Sequence, residues 1–160
     1  CRFGYMFADD PAAALGEARR VLRPGGRFST AVWDDPSRNP YGTVAVSALA
    51  EIGLADVPKA GDPGMFRLAA SGHVEQLMLD AGFTEVSVRP VSIEMSFAGI
   101  DDLLGWMSEV SQTVNTALAI GAPGSREAFV SELVALVQPY VGPGGAISLP
   151  GTALVASGRA

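Results

Sequence analysis

The stretch "RRVLRPGGRF", residues 19–28, places two adjacent glycines between basic side chains. Residues of that type can cradle a phosphate, because a glycine-rich turn lets backbone N–H groups converge on an anion. The chain holds few other groups of obvious reactivity. His73 is the only histidine, a residue type that can serve as a general base. It stands in the first turn of an expected helix with no Cys or His partner in sequence, which reads as an ordinary surface histidine. Asp101 and Asp102 follow Gly99 and are first-turn acids favourable to a helix dipole. Cys1 is the single cysteine, which excludes an internal disulfide and a cysteine-based zinc site and suits a reducing, cytoplasmic compartment. Trp33, Arg38, Asn39 and Tyr41 cluster after an apolar run and form a mixed apolar and polar set that suits a ligand pocket.

The elements around the glycines decide what they do. Asp10-Pro11 opens a helix, with Asp10 as cap and Pro11 at the first helical position. Leu15, Ala18, Val21 and Leu22 repeat at helical spacing and are expected to face inward. "RFSTAVW", 27–33, reads as a strand stopped by Asp34-Asp35-Pro36. The order is therefore helix, glycines, strand. A phosphate loop has the reverse order, so that the N-terminus of a helix faces the anion. Pro24-Gly25-Gly26 is accordingly a turn, and so is "GPGG" at 142–145.

Further on, 37–42 reads as a loop and 41–54 as a helix. Residues 55–69 read as a long surface loop. Residues 71–83 read as a helix capped by Ser71 and closed by Gly82, with Phe83 folded back over its end. Residues 84–97 read as two strand lengths around Pro90. Residues 100–118 and 125–140 read as helices, and 146–158 as strands on either side of Pro150-Gly151. Alternating helices and strands imply a layered α/β domain. Strand 27–33 is apolar on both faces, so it needs neighbours on both sides. The remaining strands supply one side, and the other partners are expected upstream of Cys1.

Composition narrows the class. The 160 residues carry a net charge of −6 and are 48% hydrophobic and 18% charged. That is one globular domain rather than a disordered chain. An acidic balance argues against nucleic acid, which calls for a basic face. No apolar run is long enough to span a membrane.

"CRFGYMFADDPAAALGEARRVLRPGGRFSTAVW" resembles the middle of class I S-adenosylmethionine-dependent methyltransferases of the small-molecule, ubiquinone/menaquinone-biosynthesis-like type. "RNP", the "AGF" before a strand and the terminal "LPGTALVASGRA" extend the resemblance over essentially the whole chain. It implies the C-terminal half of a Rossmann-like methyltransferase sheet. In that sheet 27–33 is strand five, about 84–91 is strand six, and about 152–159 is an antiparallel strand seven inserted between them. Residues of about 100–140 form a helical cover. The whole chain is then one partial domain whose N-terminal, cofactor-binding half is absent. The family's glycine-rich loop and its strand-end acid, which hold the methionine and ribose parts of the cofactor, have no counterpart in these residues.

The resemblance implies S-adenosylmethionine as cofactor of a full-length parent, with none expected for residues 1–160 alone. It implies cofactor contacts from Arg2 and Phe3, an acceptor pocket lined by Met6, Trp33, Arg38, Asn39 and Tyr41, no metal, and a small-molecule methyl acceptor. The catalytic residues stay unassigned. Two further readings stay open: a non-catalytic α/β remnant acting by association, as a homodimer through the exposed edge of strand 27–33, and a nicotinamide-dependent dehydrogenase, whose fingerprint is equally missing.

Overall fold

The computed structural model describes all 160 residues. Helix α1 spans Pro11–Val21, and the Asp10 carboxylate accepts the Ala13 N–H at 3.0 Å as its cap. Strand β1 follows at Arg27–Trp33. Helices α2 (Pro40–Glu51) and α3 (His73–Asp80) precede strand β2 (Thr84–Phe97). Helices α4 (Ile100–Val110), α5 (Gln112–Ile120) and α6 (Ser125–Val137) lead to strand β3 (Ile147–Arg159). The three strands form one sheet in the order β1-β3-β2. β3 runs antiparallel to β1, from Arg27 opposite Arg159 to Trp33 opposite Ala153. The last strand of the chain is therefore the middle strand of the sheet, as the resemblance implied.

The chain packs as two units. The first comprises residues 1–39, 59–93 and 152–160. In it α1 and α3 bury Leu15, Val74 and Met78, and Phe66, Leu68 and Phe83 complete the core. Arg19 on α1 donates to the Gly82 carbonyl at 2.8 Å and so covers the C-terminal end of α3. That end closes as expected: Gly82 is left-handed at φ 86°, the Phe83 N–H bonds the Met78 carbonyl at 3.1 Å, and the Phe83 ring is buried. The second unit comprises residues 40–58 and 94–151. Its core is built on Leu49, Leu103, Phe129, Leu133 and Leu149.

Several expectations are corrected. Val21 is 68% exposed, because α1 ends there and Leu22 is already extended. Ser71 does not cap α3; the capping position is Gly72 at φ 73°, and no side chain accepts there. The expected helix 100–118 breaks at Ser111, whose backbone is extended at ψ 89° and whose hydroxyl caps α5. Helix α6 stops at Val137 and tightens into a 3-10 turn over Gln138–Tyr140. β2 and β3 are each continuous rather than paired segments. Pro90 is tolerated because β2 is an edge strand. In the loop 55–69, Phe66, Leu68 and Ala69 are buried, and Arg67 donates to the carbonyls of Ala8 and Asp9. The helical unit also takes in α2 besides residues 100–140.

The outer edge of β1 is not bare. Residues 1–3 run parallel beside it: the Cys1 nitrogen donates to the Ser29 carbonyl at 2.8 Å, Ala31 N–H to Cys1 at 3.0 Å, and Phe3 N–H to Ala31 at 2.9 Å.

Leu15 and Val21 of α1 give a direct check. Leu15 is 1% exposed, so Leu15→Ala should cost about 2–5 kcal/mol in urea unfolding. Val21→Ala should stay within about 0.5 kcal/mol, as a surface change does. Comparable losses at both positions would refute the helix placement.

Candidate functional site

The glycines that opened the sequence analysis have their donors engaged. Gly25 stands at φ 74° and Gly26 N–H bonds the Arg23 carbonyl at 2.8 Å, the pattern of a type II turn with Pro24 second and Gly25 third. Gly25 N–H bonds the Ala160 carbonyl at 3.0 Å, and Ala160 N–H returns to Gly26 at 2.9 Å. The Gly26 N–H closes the turn and the Gly25 N–H joins it to the end of β3, so neither is left for a phosphate. The turn reading is correct.

Of the other candidates, Phe3, Trp33, Arg38 and Asn39 lie at the opposite end of β1. Trp33 ends the strand, and the Phe3 ring stacks on it with centroids 4.4 Å apart and planes 13° from parallel. Phe3 is held at φ 57°, a left-handed conformation that a bulky residue rarely adopts. Its N–H bond to Ala31 and its ring stack keep it there. Such strain at a strand end marks a functional candidate. Arg2 is exposed beside it. Met6 lies in the following 3-10 turn, Tyr5–Phe7, and is 0% exposed. Tyr5 meets Phe28 edge-on at 5.4 Å, and Phe28 stacks on Phe83 at 5.4 Å.

Beyond Trp33 the chain makes a tight knot. Arg38 pairs with Asp34 at 2.6 Å; the Arg38 side chain is 55% exposed and that of Asp34 is 11% exposed. Asp35 accepts the Ser37 hydroxyl at 2.6 Å and the Ser37 N–H at 2.9 Å. These bonds, the hydroxyl first, hold the Asp35 carboxyl below the usual carboxylate range. Asn39 is 0% exposed. Its amide nitrogen donates to the carbonyls of Asp34 (2.9 Å) and Asp35 (3.0 Å), and its oxygen accepts the Thr152 N–H at 2.8 Å. The Asp34 N–H bonds the Thr152 carbonyl at 3.0 Å. Asn39 thus ties the exit of β1 to β3, while Arg38 keeps solvent contact.

Tyr41 belongs to the second unit. Its ring meets Trp106 at 5.4 Å, and Phe97 meets Trp106 at 5.7 Å. The sequence alone puts Tyr41 in the acceptor pocket and the region of Trp106 in the helical cover; the contact itself is not legible there, because the three residues lie far apart along the chain. Burial raises the phenol pKa of both Tyr5 and Tyr41. Both stay protonated at neutral pH and can donate a hydrogen bond but not take a proton. His73 is exposed at the start of α3. Asp102 accepts the Ala98 N–H at 2.9 Å, a capping role. No group of three His, Cys, Asp or Glu side chains is placed to hold a metal ion. No helix is long and apolar enough to cross a membrane.

No family model matches the sequence. An uncharacterized 37.1 kDa protein in transposon Tn4556 of Streptomyces fradiae is 34% identical over 107 residues, which cover 66% of this chain and 30% of that protein. Among solved structures, a provisionally assigned methyltransferase of Bacillus halodurans C-125 matches 99% of this chain and 62% of its own, with a TM-score of 0.50 at 14% identity. The fold is methyltransferase-like. Phosphoethanolamine N-methyltransferase 2 of Haemonchus contortus, solved with S-adenosyl-L-methionine, matches 99% of this chain and 32% of its own, with a TM-score of 0.43 at 14% identity. The chain therefore spans less than a third of the curated relative and under two thirds of the Bacillus protein.

Asn39→Ala should destabilise the protein by roughly 1–3 kcal/mol for each buried backbone group left unpartnered. Urea unfolding of Asn39→Ala beside Arg38→Ala checks this. The exposed Arg38 should cost no more than about 1 kcal/mol. A neutral Asn39→Ala would show that the knot is not what holds the exit of β1.

Proposed function

We propose that this chain is the acceptor-side portion of a class I S-adenosylmethionine-dependent methyltransferase acting on a small molecule, of the ubiquinone/menaquinone-biosynthesis-like type. The observation that carries the reading is the sheet order β1-β3-β2, with the last strand antiparallel and inserted between two earlier ones. The rest of the sequence resemblance agrees with it.

In this reading Arg2 and Phe3 belong to the cofactor side. Trp33 with Phe3 is an apolar aromatic wall, and Arg38 is a polar contact that orients the acceptor. Met6 and Asn39 shape the wall from behind, since neither has surface to offer. Methyl transfer from a sulfonium needs alignment of donor and acceptor in a dry site more than acid–base groups. That suits a region whose phenols stay protonated.

The residues present do not fit the whole cofactor. The connections from strand to helix run through Asp34–Asn39 and through Ala98-Gly99, and neither is a glycine-rich loop. No reaction step is assigned to these 160 residues alone. Calorimetric titration of S-adenosylmethionine should give no binding to residues 1–160 and micromolar binding to a longer parent chain. Binding by neither would overturn the methyltransferase reading. Binding by the shorter chain would overturn the division of the site.

A second reading is association without catalysis. It is favoured by β1, an edge strand whose outer side carries only the short bridge at Cys1–Phe3. Exposed strand edges pair with other chains. Sedimentation of residues 1–160 should show a homodimer, and one that is lost on Ser29→Pro. A monomer at every accessible concentration excludes this mode.

A further inference from the structure

The sheet of the first unit is packed by helices on one face only. Phe28 of β1 stacks on Phe83, and Gly158 of β3 lies against Met78 and Phe83, so that face meets α3 and its end. Side chains alternate along a strand, and directly paired residues share a face. The other face therefore carries Ser29, Ala31, Val155 and Ser157, a block of small side chains, none of them fully buried. Arg27 and Arg159 border the block as a directly opposed pair, and like charges so placed repel. Arg159 is answered by Glu85 at 2.8 Å, while Arg27 meets no carboxylate. Arg89 of β2, exposed and also without a carboxylate, is on the same face, since its neighbours Val88 and Pro90 share a cleft with Leu154 on the opposite one.

The second unit has the complementary charge. Arg126 is its only basic residue, against eight acidic ones. On α4, Asp101, Asp102, Gly105, Ser108 and Glu109 are all exposed and fall within about 120° of the helix circumference. Gly105 has no role inside its own chain. Glycine in a helix interior costs stability, and a Cβ built there would meet nothing within 4 Å. A surface that comes close to α4 gives the missing side chain a reason.

We propose that the open sheet face binds α4 of a second copy of this chain. Gly105 and Ser108 seat on the small block, and Asp101 and Glu109 meet Arg27 and Arg89. The lengths agree: α4 rises about 16 Å, and β1 runs about 23 Å. A nucleic acid is disfavoured, because the rings at the end of this face, Phe3 and Trp33, already stack on each other and offer no free platform for a base. The contact uses side chains on a sheet face rather than the backbone edge of β1, and it does not depend on the methyltransferase reading.

Sedimentation of the protein and of two charge-reversed variants tests this. Self-association is expected at about 0.05 M salt, weakened about tenfold at about 0.5 M, where the Debye length is only a few ångströms. Arg27→Glu with Arg89→Glu, and separately Asp101→Lys with Glu109→Lys, should each weaken it by about tenfold or more. All four positions are exposed, so both variants keep the fold. An equimolar mixture of the two should associate as well as the unaltered protein, because each reversed surface then finds its opposite. Gly105→Leu should abolish association while the circular dichroism spectrum is retained. Association untouched by the reversals assigns it to the β1 edge and overturns the proposal. A mixture that stays dissociated, an unaffected Gly105→Leu, or a monomer at every concentration in low salt overturns it too. Tighter binding of a single-stranded oligothymidylate than of a second copy assigns the face to nucleic acid, with the same consequence.

Discussion

β3 has to satisfy hydrogen-bonding groups on both of its edges at once, and most of the fold follows from how it does so. It follows β1 and β2 in sequence, yet it lies between them. Its partners on β1 are well over a hundred residues away in sequence, so the sheet closes only when every residue from β1 to β3 is present. Such non-local pairing carries a loop-closure cost before any contact repays it. Backbone ties sit at both ends of the β1 ladder. At one end Gly25 and Gly26 exchange bonds with Ala160, and at the other Asp34 and Asn39 bond both polar groups of Thr152. Register is thereby fixed beyond the ladder itself, which matters because a one-residue slip would turn every side chain to the wrong face.

The same geometry explains a proline in the middle strand. Proline lacks an N–H and is normally excluded from central strands. The Thr152 N–H points to the β1 side, where Asn39 accepts it. Pro150 is two residues earlier, so its nitrogen points the same way. The β1 ladder ends at Ala153, and no ladder bond is lost at Pro150. The sequence 146–158 looks like two strands around a turn because Pro150-Gly151 is a turn signal. In the structure it is simply the place where β3 has outrun its neighbour.

Local rules made much of this fold readable. The Asp10 cap, the Pro24-Gly25 turn, the span of β1 and the Gly82–Phe83 closure all depend on residues within a few positions of one another. The failures share a different cause. Val21 fits the helical period but lies beyond the point where α1 still faces the core. Ser111 looks neutral inside an apolar period, yet its hydroxyl competes with the helix backbone and starts a new helix. Phe66 and Leu68 sit among prolines and glycines, so they read as loop although tertiary packing buries them. In the candidate site, the nearness of Phe3 to Trp33 was not derivable from spacing, since residues 1–3 reach β1 by parallel pairing. Asn39 was legible as a polar residue after the strand, but its bond to Thr152 was not.

The chemistry of the β1 exit follows from what its polar groups already do. Asn39 has no spare surface, Asp35 is held ionised by Ser37, and Asp34 is engaged by Arg38. The phenol of Tyr5, packed on Phe28 at the start of the strand, is pushed further from ionisation by burial. A general base needs a proton affinity matched to the working pH and a lone pair free to act. None of these groups offers both. The same groups are well suited to rigidity, since each is locked by a partner and the Phe3–Trp33 stack leaves the ring planes fixed. A region of this kind can position a ligand whose reactivity comes from elsewhere.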